Sequence, residues 1–273
     1  MLGETRGMPL PCPLLVFTDL DGTLLDHDTY QWDSAAPALR RLKAIGAPVI
    51  LSSSKTEAEI RAVQSDLGLA GVPAIVENGA GLIGMPNAAP SEEEYTALRE
   101  RLDTLPHHLR SLFRGFGDMS DEAVAEATGL SLTAARLARN RAFSEPGLWL
   151  GDDASLSEFS TALGQQHIAA RQGGRFLTLS FGMTKADRMT DIVAYFRPAR
   201  TAALGDAPND IEMVEAADFG IIVANPHRDP LPPLDGEAAG RIIRTTQAGP
   251  VGWNSAMLAL LDRLDHIKEE PHG

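Results

Sequence analysis

The sequence predicts an α/β protein: a mostly parallel sheet covered by helices, with a separate α+β unit inserted into the middle of the chain. Three observations carry this expectation. Apolar strand-like runs alternate with helical patterns at both ends of the chain, the rhythm of parallel βαβ units. Between about Met85 and Gly182 the rhythm gives way to alanine- and charge-rich helical stretches with isolated strand runs. Two apolar runs, one near each end, finish in aspartate pairs, at the place where open α/β sheets hold ligands.

In chain order, the run Leu14 to Phe17 (LLVF) is a short buried strand, and a helical pattern covers Ala35 to Ala44. The run PVILS (Pro48 to Ser52) is a second strand, followed by a helix over Thr56 to Leu67 and then the segment PAIVENGA. The inserted part opens with a Pro/Asn/Ala loop and a charged helix at Ser91 to Leu102. SDEAVAEATGL and SLTAARLARNRA suit helices, and GLWLG and RFLTLSF are its strand candidates. The α/β rhythm then returns with a helix from Lys185 to Phe196, a strand at TAALGD, a short helix from Asn209 to Ala216 and a strand at FGIIVAN. GRIIRTT is a further strand and Gly252 to Leu264 a closing helix. The expected domains are residues 1–84 with 184–273 as core and 85–183 as the insertion.

Composition narrows the function. The 273 residues include 24 basic and 37 acidic ones, a net charge of −13. So negative a surface argues against nucleic acid or an anionic membrane as the main partner, while one positive pocket could still take a small anion. No stretch approaches the length of a membrane span. The first eleven residues lack the apolar core of a signal peptide and are expected to be a disordered leader; the tail from Ile267 is expected to fray. The single cysteine, Cys12, allows no internal disulfide and fits a reducing cytoplasm.

Four segments carry chemistry. In FTDLDGT, strand alternation would point Asp19 and Asp21 to one side if the strand persists that far. Crowded carboxylates repel unless a cation sits between them, and a small oxygen-rich cluster suits Mg²⁺. Gly22 permits a tight turn, and Thr23 can offer a hydroxyl and an N–H to an anion. In VILSSSKT, Ser52, Ser53 and Ser54 follow an apolar strand and precede a helix whose N-terminal dipole favours anions; they could equally serve as a helix cap. Lys185 opens a helix just after the insertion. In LGDAPNDIEM, Asp206 ends an apolar run, and Asn209 and Asp210 begin a helix, a second acidic cluster at a second strand end.

These four pieces, in this order, resemble the motifs of the haloacid dehalogenase (HAD) superfamily. The insertion between the second and third motifs, with ENGA (Glu77 to Ala80) before it, resembles the Cof-type IIB branch. SSKT, ENGA, QGGRF (Gln172 to Phe176), GDAPND and GPVGW (Gly249 to Trp253) together look like mannosyl-3-phosphoglycerate phosphatases. The resemblance implies a Rossmann-like core with a C2B-type cap and a phosphatase that forms an aspartyl phosphate on Asp19, with Asp21 as general acid and base. It further implies Mg²⁺ held by Asp19, the Asp21 carbonyl and Asp206, with Asp210 acting through water or a hydrogen bond. Lys185 and Ser53, with Ser54 as second choice, would cover phosphoryl oxygens, and Asn209 would hold a loop or Asp21.

A sugar phosphoglycerate needs a second cationic anchor in the cap. Arg171 and Arg175, beside Gly173 and Gly174, could fork onto its carboxylate; their alternative is an ordinary turn with solvated arginines. Arg141, Ser144 and Glu145 form a second candidate group, and Asn78 or Glu145 could meet sugar hydroxyls. The expected partner is a small phosphorylated sugar-glycerate, and the chain is expected to act as a monomer or homodimer. Competing expectations are a phosphatase for another sugar phosphate such as a sucrose-phosphate-like one, a phosphomutase of the same superfamily, or an inactive ligand-binding protein.

Overall fold

The computed structural model describes residues 12–86 and 91–269. The expected leader, the last residues of the expected frayed tail and most of the Pro/Asn/Ala loop lie outside the described residues. The chain forms two compact units, one running up to Ser53 and resuming at Lys185, the other spanning Ser54–Thr184.

The first limb supplies β1 (Leu15–Thr18), α1 (Ala36–Ala44) and β2 (Val49–Ser52). Every residue of β1 and β2 is buried, as a parallel strand covered on both faces must be, so both read as unbroken apolar runs. Helix α1 starts with a proline in its first turn and turns Ala38 and Leu42 inward.

The second unit contains α2 (Glu57–Asp66), β3 (Ala74–Val76), β4 (Gly81–Ile83), α3 (Ser91–Asp103) and α4 (His107–Arg110). It continues with β5 (Phe113–Gly115), α5 (Asp121–Thr128), α6 (Leu132–Arg139), β6 (Glu145–Trp149), α7 (Asp153–Gln165), β7 (Ala169–Gly173) and β8 (Phe176–Ser180). Four of these strands form an antiparallel sheet in the order β5-β6-β8-β7. Leu98, Leu102, Leu109, Phe113, Phe159, Leu163 and Leu179 form one core of this unit, and Phe116, Met119, Val124 and Ala135 a smaller one. The expected α+β insertion is therefore present, and the expected boundary at 84/85 falls inside this unit, just after β4. The strand expected at GLWLG begins two residues earlier, because Glu145 and Pro146 pair with Leu179 and Thr178.

The chain returns through α8 (Lys185–Phe196), β9 (Thr201–Gly205), α9 (Ile211–Ala216), β10 (Phe219–Ala224), β11 (Ile242–Ala248) and α10 (Gly249–Glu269). In the first unit five strands lie in the order β11-β10-β9-β1-β2, each pair parallel. Their shared direction brings the carboxyl ends of β1, β2 and β9 to one edge. The closing helix begins at Gly249 rather than Gly252 and runs to Glu269, so the backbone of 267–269 is helical where fraying was expected. Among the described residues no helix is long and apolar enough to cross a membrane.

The ENGA segment acts as a brace within the second unit. Glu77, Asn78 and Gly79 all hold positive φ, at 53°, 60° and 93°, a conformation that costs free energy for the first two. The buried Glu77 carboxylate accepts the N–H groups of Ala142 (2.9 Å) and Phe143 (3.2 Å) and the Ser144 hydroxyl (2.7 Å). Arg141 Nε lies 3.3 Å from the same carboxylate. Replacing one partner of a buried charge pair strands the other, so Glu77→Ala is expected to cost about 3 kcal/mol or more. Urea denaturation followed by tryptophan fluorescence measures this, and a loss below about 1 kcal/mol, the worth of one ordinary hydrogen bond, would contradict the brace.

Candidate active site

Strand β1 ends at Thr18, so strand alternation does not place Asp19 and Asp21. One further ladder bond, Asp19 N–H to the Leu204 carbonyl at 2.9 Å, fixes Asp19 before the chain turns. The turn is closed by Thr23 N–H and Leu25 N–H to the Leu20 carbonyl, at 3.0 and 2.8 Å, with half-buried Asp21 inside it. Gly22 is required twice over: its φ is +83°, and a Cβ there would stand 2.7 Å from Asn225 Nδ2.

The carboxylates of Asp19, Asp206 and Asp210 converge, with one oxygen of each within 4.8 Å of the others, and all three residues are buried. Lys185, at the start of α8 and only 1% exposed, donates to Asp19 Oδ1 (2.7 Å), Asp210 Oδ1 (2.7 Å) and the Ser52 carbonyl (2.9 Å). The other Asp210 oxygen accepts the N–H groups of Asp206 (3.2 Å) and Ala207 (3.1 Å). Asp206 takes hydrogen bonds from the Thr23 hydroxyl (2.8 Å) and Asn225 Nδ2 (2.6 Å), and Arg228 Nε lies 3.3 Å away. Thr23 was expected to meet an anion, and the anion it meets is this carboxylate.

The electrostatics follow from the count of charges. Burial pushes the Asp19 carboxyl up to about 8; Lys185 opposes that rise, and Asp210 and Asp206 reinforce it. Burial disfavours the Lys185 ammonium, but Asp19 and Asp210 outweigh it and raise its pKa. Once Asp19 ionises, three buried carboxylates stand against one buried ammonium, and the surplus negative charge is what a cation can neutralise. An all-oxygen donor set of this size fits a hard divalent ion, so the residues present fit a metal.

The other expected residues are distributed as follows. Ser53 is buried at the end of β2, whereas Ser54 is exposed and gives its carbonyl to Arg141 Nη1 at 3.2 Å. The cap of α2 is Thr56, in a reciprocal capping box with Glu59, rather than one of the serines. Asn209 is exposed on the turn between β9 and α9. Arg171, Gly173, Gly174 and Arg175 form the exposed β7–β8 hairpin, with Gly174 at φ +57°. Arg175 donates to the Thr128 carbonyl at 3.2 Å and stands over the Phe176 ring. Arg141 and Ser144 are gathered on Glu77, with 2.9 Å between Arg141 Nη2 and Ser144 Oγ. Glu145 is buried between the Tyr95 hydroxyl and the Gly117 N–H (2.8 Å), and burial raises its pKa.

Asn225 and Arg228 are the residues that sequence reasoning missed; their only signal was a position just past the apolar run of β10. GPVGW has a supporting part. The buried Trp253 indole donates to the Thr18 hydroxyl at 2.9 Å, and that hydroxyl donates to the Asp19 carbonyl at 2.8 Å. Gly252 leaves no room for a side chain, since a Cβ would stand 1.9 Å from the Gln247 carbonyl oxygen.

Solved structures share this fold. The HAD subclass IIB sugar phosphatase BT4131 matches with a TM-score of 0.58 and 17% identity, covering 90% of this chain and 98% of its own. BT1666, a HAD phosphatase from Bacteroides thetaiotaomicron, matches at 0.61 and 16% identity over 96% and 97%. The sucrose-phosphatase from Synechocystis sp. PCC6803, solved with sucrose and phosphate, matches at 0.58 and 14% identity over 94% and 98%. A family model described as haloacid dehalogenase-like hydrolase matches residues 16–98 and 152–229. These segments make up more than half of the chain and contain Asp19, Asp21, Ser53, Lys185, Asp206 and Asp210, and the chain belongs to the haloacid dehalogenase-like hydrolases.

Proposed function

We propose that the chain is a Mg²⁺-dependent phosphatase that releases phosphate from a mannosyl- or glucosyl-3-phosphoglycerate. The observation that carries the phosphatase reading is the buried Lys185 ammonium, 2.7 Å from both Asp19 and Asp210, within an aspartate cluster at the carboxyl ends of β1 and β9. Such a site couples a carboxylate nucleophile to fixed positive charge for the oxygens of a phosphoryl group.

In the first half-reaction an Asp19 oxygen attacks phosphorus and the bond to the ester oxygen breaks. Asp21 gives its proton to the departing alkoxide. In the second, Asp21 takes a proton from water, the water oxygen attacks phosphorus, and the Asp19–phosphorus bond breaks to release inorganic phosphate. Lys185 and Ser53 cover phosphoryl oxygens and spread the charge that accumulates there. Asp19, Asp206 and the Asp21 carbonyl would hold Mg²⁺, with Asp210 orienting the set; the ion supplies charge neutralisation between nucleophile and phosphate.

For the substrate, support comes from the second unit. A cleft of about 770 Å³ there is lined by Tyr95, Arg99, Arg139, Asn140 and Arg141 among others, donors suited to sugar hydroxyls and a carboxylate. Arg171 and Arg175 stand on the hairpin as the glycerate anchor. A sucrose-phosphate-like substrate is the second reading, favoured by the sucrose and phosphate bound in the Synechocystis neighbour. The single cysteine supports action in a reducing compartment such as the cytoplasm.

Phosphate release from a panel of sugar phosphates, with Mg²⁺ and with excess chelator, tests the reading. Activity confined to the Mg²⁺ arm and highest on a glycosyl-3-phosphoglycerate is expected; full activity in chelator would overturn it, and preference for sucrose phosphate would favour the second reading. Arg175→Ala is expected to raise KM for the glycerate substrate about ten-fold, the worth of one charge-assisted hydrogen bond, and to leave a simple aryl phosphate unaffected. Equal losses on both substrates would remove Arg175 from the anchor.

Proton linkage tests the metal assignment. A folded pKa raised to about 8 means that metal-free Asp19 is largely protonated at pH 6.5 and ionised at pH 9.5. Its contribution to stability is present at low pH and lost as pH rises through about 8. Mg²⁺ binding should therefore release close to one proton at pH 6.5 and almost none at pH 9.5. Calorimetry in buffers of different ionisation enthalpy reads this, and equal release at both pH values would contradict the assignment.

A further inference from the structure

Two loops of the first unit bring a second set of ligating side chains together, apart from the aspartate cluster. His27 and Asp28 follow the turn that closes after Asp21, and His227 follows β10. One ligating atom from each of the three lies within 4.8 Å of the others. The imidazole rings of His27 and His227 stack with centroids 4.2 Å apart and planes 20° apart, and His227 Nε2 is 3.7 Å from Asp28 Oδ2. A tetrahedral ion with ligands at ordinary zinc distances needs donor atoms about 3.3 Å apart, so binding requires the stacked rings to part and turn one nitrogen each toward a common point beside Asp28.

Both loops are held before any ion arrives. The Asp26 carboxylate accepts the N–H groups of Asp28 (3.2 Å) and Thr29 (2.9 Å) and the Thr29 hydroxyl (2.8 Å). The N–H of His227 donates to Asn225 Oδ1 at 2.9 Å, and the amide group of the same asparagine donates to Asp206. Neither loop therefore needs to fold in order to bind.

We propose that His27, Asp28 and His227 bind one transition-metal ion of the zinc class, with water completing the shell. Two imidazoles and one carboxylate favour a borderline-soft ion over Mg²⁺, whereas the three aspartates around Lys185 favour a hard one. The two sites are thus separated by donor chemistry, and the second ties the loop bearing Asn225 to the loop that follows Asp21.

The test uses untagged, full-length protein stripped of metal and then held in saturating Mg²⁺. Zn²⁺ is titrated in competition with a chromogenic chelator, and Co²⁺ binding is followed by its visible absorption. Wild type and Asp206→Asn are each expected to bind one equivalent. The His27→Ala/His227→Ala protein, and separately His227→Gln, should bind about 100-fold more weakly or worse, since even an outer-shell change costs 10–100-fold. Unchanged Zn²⁺ affinity in both histidine variants would overturn the site, as would loss of the equivalent in Asp206→Asn or its absence from wild type.

Discussion

The burial of one ammonium group governs the first unit. Lys185 is 1% exposed, and an isolated buried ammonium would simply lose its proton. Two carboxylates at 2.7 Å and one carbonyl at 2.9 Å hold it charged. Those three partners sit at the end of β1, the end of β2 and the turn before α9, so one side chain ties three segments to the start of a fourth. In a buried pair, removing one partner costs several kcal/mol because the other is left uncompensated. The positions of Asp19 and Asp210 are thereby fixed by electrostatics as well as by chain geometry.

Other features of the site accommodate that arrangement. Asp19 is held from behind by the relay from Trp253 through Thr18, which makes a tryptophan far along the chain part of the support for the first acidic residue. Asp206 is oriented by Thr23 and Asn225, and the close approach of Asn225 is possible because residue 22 has no side chain. The second unit has its own buried carboxylate, Glu77, which gathers the segment 141–144. In both units a buried charge is tolerated because several donors or a counter-charge meet it.

The parts legible in the sequence were those where chemistry follows an apolar run. Asp19, Asp206 and Lys185 could be picked out because strand ends and helix starts are where open sheets present groups to ligands. Strand β7, reading AARQG, has no apolar run, and β5 is only three residues long, so neither carries a periodic signal. The relay from Trp253 to Thr18 joins positions far apart in the chain, and no local pattern encodes it. Thr56 did carry a signal in its T-x-x-E spacing, but the preceding serines competed for the same reading. Arg141 and Ser144 were legible as polar groups but not as partners of Glu77, because that pairing depends on a turn of three positive-φ residues.

The proposed role of Asp19 is tested most directly by trapping its acyl phosphate. Radiolabelled glycosyl-3-phosphoglycerate would be mixed with enzyme and Mg²⁺, quenched in acid within one turnover, reduced with borohydride and digested for mass spectrometry. Transient label on protein is expected and, after reduction, conversion of residue 19 alone to homoserine. Full single-turnover phosphate release with no labelled protein, or reduction at another carboxylate, would contradict that role.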